Sequence, residues 1–334
     1  MKRLKKENVP PLLNEISKKE RVFCPQWADD RDLMLMPLGE GEYTGDMGKT
    51  TISAKTFLFP QSEVILSFRD RDISKIIDPS RALLFGVRPC EMRAIHFVDR
   101  FMTRDAFRDP HYFSRREKMT TIVVACHEPP SDTCFCADAG GMPYLETGYD
   151  VQLFDAGDHY LALAGSEAGE AILSNGHFEK GASEDTVKLA EIKERALASQ
   201  SNGPGMKKAI EALRASDPGE EFWERLGERC INCGGCVYVC PTCTCFNIYD
   251  LPSEGGHLRR RNWDACLHAG FSRETSGHNP RPTQGSRLAR RHEHKLKFDV
   301  INFNESGCVG CGRCSDACPV GLGAIEIIRE LNNL

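Results

Sequence analysis

Short apolar runs alternate with helical spacings through the first half of the chain. Ala82-Leu83-Leu84-Phe85-Gly86-Val87 and Thr121-Ile122-Val123-Val124-Ala125 are bounded by polar or turn residues, as strands buried on both faces of a parallel sheet are. Between them, Ile95, Val98 and Phe101 fall at helical spacing over residues 91–101. Strand, helix and strand make a βαβ unit, whose right-handed crossover sets the two strands side by side. Residues 151–154 and 160–164 flank the turn Ala156-Gly157-Asp158 and predict a hairpin. Over residues 183–216 the pattern becomes polar and helical, with Leu189, Ile192 and Ala196 on one face and a break at Asn202-Gly203-Pro204-Gly205. Phe222, Trp223 and Leu226 then form a last amphipathic turn.

Composition narrows the class. Apolar residues are 40% and charged residues 27% of the 334, a globular balance with room for two domains. A net charge of -5 gives no whole-chain argument for nucleic acid or an anionic membrane. The N-terminus, MKRLKKENVPPLLNEISKKE, is basic but has no apolar run of a signal peptide, and no later segment is apolar enough to span a bilayer. The expectation is a cytoplasmic protein. Sixteen cysteines in a reducing compartment point to metal ligation rather than disulfides, and to a cell living with little oxygen.

The cysteine spacing carries the chemistry. Cys230-x2-Cys233-x2-Cys236-x3-Cys240-Pro241 and Cys308-x2-Cys311-x2-Cys314-x3-Cys318-Pro319 repeat one pattern, that of bacterial ferredoxins with two [4Fe–4S] clusters. A tight loop wraps three thiolates onto three irons of one cube, and the fourth cysteine leaves the loop to serve the other cluster. The expected ligand sets are Cys230, Cys233, Cys236 with Cys318, and Cys308, Cys311, Cys314 with Cys240. Zinc ribbons use paired C-x2-C knuckles and have no use for the triple run. The predicted architecture is an α/β N-terminal domain over 1–180, a helical linker over 181–216, and a C-terminal α+β ferredoxin-like dicluster domain over 217–334. The last carries a long insertion, 242–307.

That insertion holds Cys243, Cys245 and Cys266, for which inert packing is the plainer reading and ligation the other. It also holds a basic run, Arg259 to Lys297, with few acids, read as a solvated face or as a docking or cofactor-phosphate surface. His292 and His294 within it are read as surface residues. In the N-terminal domain, Cys90 and Cys126 each lie just past the carboxyl end of a predicted strand, the edge where open α/β sheets gather their sites. A turn-rich loop returns Cys134 and Cys136 shortly after Cys126. Four thiols on one rim predict a third [4Fe–4S] cluster, although a zinc ion or a set of buried reduced thiols fits the same arithmetic. Cys24 is left as a free thiol.

Several segments carry a family likeness: Gly86-Val87-Arg88-Pro89-Cys90-Glu91, Ala125-Cys126-His127-Glu128-Pro129, Cys134-Phe135-Cys136, Gly148-Tyr149-Asp150, Cys240-Pro241-Thr242-Cys243-Thr244-Cys245-Phe246 and Gly277-His278-Asn279. From about Lys55 to Leu322 the chain resembles the beta subunit of cytoplasmic sulfhydrogenases. It is similar also to the A subunit of anaerobic sulfite reductase and to subunits of flavin oxidoreductases that feed heterodisulfide-reductase-like complexes. Glu91 stands where that family commonly has Asp. The resemblance implies a non-catalytic relay subunit. It would pass electrons between a flavoprotein binding FAD and NAD(P) and a terminal catalytic subunit of hydrogenase, sulfite reductase or heterodisulfide-reductase type. The chain shows no GxGxxG opening a βαβ unit and no P-loop. A self-contained iron–sulfur reductase with its own N-terminal substrate site is the alternative, and a zinc-dependent nucleic-acid binder the third reading.

Overall fold

The computed structural model describes residues 1–334 except Pro79, Asp105 and Ser201. Its larger sheet has eight strands in the spatial order Phe178–Lys180, Lys2–Lys5, His159–Ala164, Val151–Asp155, Met119–Val124, Ala82–Val87, Arg21–Trp27, Leu33–Pro37. The four from Val151–Asp155 to Arg21–Trp27 run parallel. The expected βαβ unit is there: Ala82–Val87 lies beside Met119–Val124, joined through the helix Pro89–Met102. Both strands are almost wholly buried, which is why they lack the alternation of a half-exposed strand. The expected hairpin pairs Val151–Asp155 with His159–Ala164.

A bulge shapes the strand end that leads to Cys90. Register slips between Phe85 and Val87, and Gly86 sits at φ 80, where a Cβ would come within 2.6 Å of the Pro25 ring. Only glycine meets both demands cheaply. The chain then turns at Arg88 into a helix with Pro89 at its first position, where the missing N–H costs nothing. Glu91 accepts from the Arg88 amide at 3.2 Å and from the Ala54 amide at 2.9 Å.

The second sheet was not foreseen. Phe246–Ser253 and Gly256–Trp263, a hairpin inside the predicted insertion, add to Ser62–Arg69 and Asp72–Lys75 of the N-terminal half. Buried Arg261 of this hairpin pairs with Glu63 at 2.6 Å and with Asp109. The helices of 183–216 divide their packing: Asp185–Ala198 sets Ile192 against Phe154 and Leu161, while Met206–Ala215 sets Ala209 and Leu213 into the core around the ferredoxin motifs. No helix among the described residues is long and apolar enough to cross a membrane.

Candidate iron–sulfur centres

The two ferredoxin-type loops are built alike. Gly234 at φ 75 opens the short helix Gly235–Tyr238, and Gly312 at φ 75 opens Arg313–Asp316. A left-handed residue before each helix curls the preceding cysteine loop back on itself, which glycine alone allows without strain. Cys240, Cys308, Cys311 and Cys314 line one cavity. This is the second expected ligand set, including the cysteine that crosses over from the other motif. Burial raises the Cys236 thiol, and Cys230 and Cys318 lie close enough to add to that shift, while Cys233, the fourth of its set, is exposed. Backbone amides already point at sulfur: Leu322 N–H donates to Cys318 Sγ at 3.1 Å and Ala324 N–H to Cys314 Sγ at 3.4 Å.

The N-terminal cysteines also converge. Cys90, Cys126, Cys134 and Cys136 line a cavity at the carboxyl edge of the parallel strands, with Arg88 and Gln200 beside them. Arg88 Nη1 reaches Cys126 Sγ at 3.8 Å. Gly310 and Cys311 form part of this wall, so Cys311 lines both cavities. The loops interlock there: Phe135 N–H donates to Gly310 O at 2.8 Å, and a Cβ on Gly310 would sit 2.5 Å from Phe135 O.

Burial pushes the Cys136, Cys236 and Cys311 thiols up to about 11 and Cys308 to about 12. Without metal these thiols stay protonated, and ligation must release their protons. Among the described residues no group of three or more histidine, cysteine, aspartate or glutamate side chains is drawn in where one metal ion takes them all. The sulfurs instead surround cavities.

Two features fit these sites to iron–sulfur clusters. Their donors are all thiols, the ligands such clusters use. Their walls also hold buried cations with no carboxylate ion-pair partner among the described residues. Arg291 is 2% exposed, donates to Cys236 O at 3.0 Å and leaves Nε without an acceptor. Lys295 Nζ donates to Thr242 Oγ1 at 2.6 Å and Gly307 O at 3.1 Å, and Lys55 Nζ to Cys243 O at 2.8 Å. Buried charge is costly unless an opposite charge meets it. A thiolate-ligated cluster is an anion and supplies that charge.

These cations correct the reading of the basic run as a surface. Arg261, Arg287, Arg291 and Lys295 are buried, and so is His292, which was expected outside. Removal from water beside Arg291 and Lys295 keeps His292 well below the usual imidazole range. The missed signal was spacing: Arg287, Arg291 and Lys295 recur every four residues on Gln284–Glu293 and the turn after it, hence on one helix face. Arg313 was missed too; it pairs with Glu91 at 3.0 Å, both fully enclosed between the second and third cysteine sets.

A model of the 4Fe-4S dicluster domain matches residues 229–322. The chain is 26% identical to sulfhydrogenase 2 subunit beta of Pyrococcus furiosus, over 98% of this chain and 97% of that one. It is 27% identical to the F420-dependent formate dehydrogenase subunit beta of Methanocaldococcus jannaschii, over 36% of this chain and 24% of that one. No solved structure matches. The chain thus carries a 4Fe-4S dicluster domain towards one end and is similar, over nearly the full length of both chains, to a sulfhydrogenase beta subunit.

Proposed function

We propose that this chain relays electrons through three [4Fe–4S] clusters, held by Cys90, Cys126, Cys134 and Cys136, by Cys308, Cys311, Cys314 and Cys240, and by Cys230, Cys233, Cys236 and Cys318. Its partners are a flavoprotein that binds FAD and NAD(P) and a terminal catalytic subunit of hydrogenase, sulfite reductase or heterodisulfide-reductase type. The observation that carries this reading is Cys311, whose residue lines both the N-terminal cavity and one ferredoxin cavity.

Each cluster supplies one-electron chemistry without making or breaking substrate bonds. The chain's own residues do the rest. Twelve thiolates hold the clusters, and apolar neighbours such as Phe135, Val309 and Ala324 keep water from the space around Cys311 and Cys314. Arg291, Lys295 and Arg313 hold positive charge against the sites. Fixed cations favour the more negative, reduced form and so raise the potential at which the centre accepts an electron. The crossing of Cys240 and Cys318 ties the two ferredoxin-type centres together.

The cavity lined by four thiols favours a cluster over zinc at the third site, since a tetrahedral zinc ion draws its ligands inward to about 2.3 Å. Full-length protein reconstituted without oxygen tests this. Cys126→Ser should lower the iron content by about four per chain, and one zinc in the unaltered protein at that site would refute the cluster. The relay role is tested on the tagged native complex. A flavoprotein should co-purify, and the isolated chain should hold no flavin and leave NAD(P)H unoxidised; stoichiometric FAD in the isolated chain would contradict the reading.

A further inference from the structure

Three thiols that neither ferredoxin motif nor the third set uses come together in the fold. Cys243 and Cys245 lie on the stretch leaving Cys240, and Cys266 is far along the chain. The hairpin between them closes the distance: Phe246 pairs with Trp263, and the Asp264 amide donates to Cys245 O at 3.0 Å. Cys266 is thereby delivered beside Cys245, near enough for each thiol to act on the other's proton. All three line one cavity, as Cys240, Cys308, Cys311 and Cys314 line another and Cys90, Cys126, Cys134 and Cys136, with Cys311, a third.

The walls repeat the chemistry of those sites. Arg291 and Lys295 line this cavity as well as that of Cys240 and Cys308. Arg291 Nε is buried without an acceptor, and Lys55 donates to the carbonyl of Cys243 itself. Phe97 and Phe101 close one side against water. Arg291 and Lys295 face one carboxylate in the lining, that of Asp299, and an anionic ligand bound by thiolates answers the remaining positive charge. We propose that Cys243, Cys245 and Cys266 ligate a fourth iron–sulfur cluster in this cavity. One iron is left without a thiolate, and His294 and Asp299, which line the same space, are its candidate ligands. Ligation forms one iron–sulfur bond to each of the three cysteines and releases the thiol protons.

The proposal deepens the relay reading, on which it rests for its use: Thr242, Arg291 and Lys295 are a wall shared with the Cys308 site, so an electron has a second way out of that centre. The site itself does not depend on the third cluster, and the test keeps them apart. Full-length protein is loaded with iron and sulfide without oxygen, beside Cys266→Ser and Cys126→Ser. Each substitution should remove about four irons, independently, and the double variant about eight. Unchanged iron in Cys266→Ser with loss in Cys126→Ser overturns the fourth site alone; the reverse overturns the third alone. Alkylation of the unaltered protein guards against a variant that fails to fold. Cys245 and Cys266 should label in the metal-free chain and resist labelling in the loaded one. Their labelling in loaded protein, a disulfide between them, or one zinc in place of the extra iron refutes the proposal.

Discussion

The ferredoxin motifs and the N-terminal cysteine set hold sulfur in similar ways but assemble it differently. In the motifs, spacing does the work: three cysteines ride one loop curled by a left-handed glycine, and most of the geometry is local. The N-terminal set is built by the sheet. Cys90 follows one strand and Cys126 its parallel neighbour, and they meet only because the crossover places those strands side by side. A local site tolerates change around it, whereas a site assembled by a sheet edge inherits every error in the sheet. The two are also clamped together by Glu91 with Arg313 and by Gly310 with Phe135.

The largest effects should come from the ligands. Cys318→Ser should disturb the centre held by Cys230, Cys233 and Cys236 more than the one held by its own neighbours Cys308, Cys311 and Cys314, with the loss of up to about four irons. Electron paramagnetic resonance of the reduced protein separates these outcomes, and a change confined to the Cys308 centre would show that the ligands do not cross. Next is the clamp. Glu91→Gln removes the charge that meets enclosed Arg313 and should destabilise the metal-free protein by about 3–5 kcal/mol, read in urea unfolding; a change as small as a surface substitution would show the pair contributes little. Gly312→Ala should cost at least roughly 1–3 kcal/mol from its left-handed backbone alone, and its Cβ would run into the Thr133 carbonyl, so the loop at Cys134 should move with it. The nearest atoms to a Cβ on Gly234 belong to the side chains of His268, Tyr238 and Ala265, so Gly234→Ala should leave the N-terminal set alone. The smallest effect belongs to the partly exposed pair Arg225 and Glu330, where Arg225→Gln should change stability by less than about 1 kcal/mol.

What could be read from sequence was what is local or fully buried. The strands Ala82–Val87 and Met119–Val124, the helix between them and the hairpin at Val151–Ala164 declare themselves by apolar runs and turns. The strand Lys2–Lys5 does not: only Leu4 is buried, and its place beside His159–Ala164 is fixed by pairing with distant residues and by Arg3 bonded to Asp185 at 2.6–2.7 Å. The hairpin Phe246–Trp263 was hidden for the same reason, since its outer strand is largely exposed and its inner one is patterned by arginines. The basic run misled because charge reads as surface. Its inward stripe makes sense only once cysteines from two other stretches are seen to surround Arg291.

The sheet shared by Ser62–Arg69 and Gly256–Trp263 has a consequence for how the chain is made. Synthesis delivers the first strand almost two hundred residues before its partner. Through that interval Ser62–Arg69 has Asp72–Lys75 on one side and an open edge on the other, a row of unpaired amides and carbonyls that a neighbouring chain can copy. The N-terminal half can complete its larger sheet as soon as residue 180 emerges, yet that edge stays bare until residue 263. Contacts of such sequence separation form late and leave incomplete chains prone to association. The nascent polypeptide thus has its sticky interval midway through translation, and the hairpin that carries Cys245 and Cys266 at its base is what ends it.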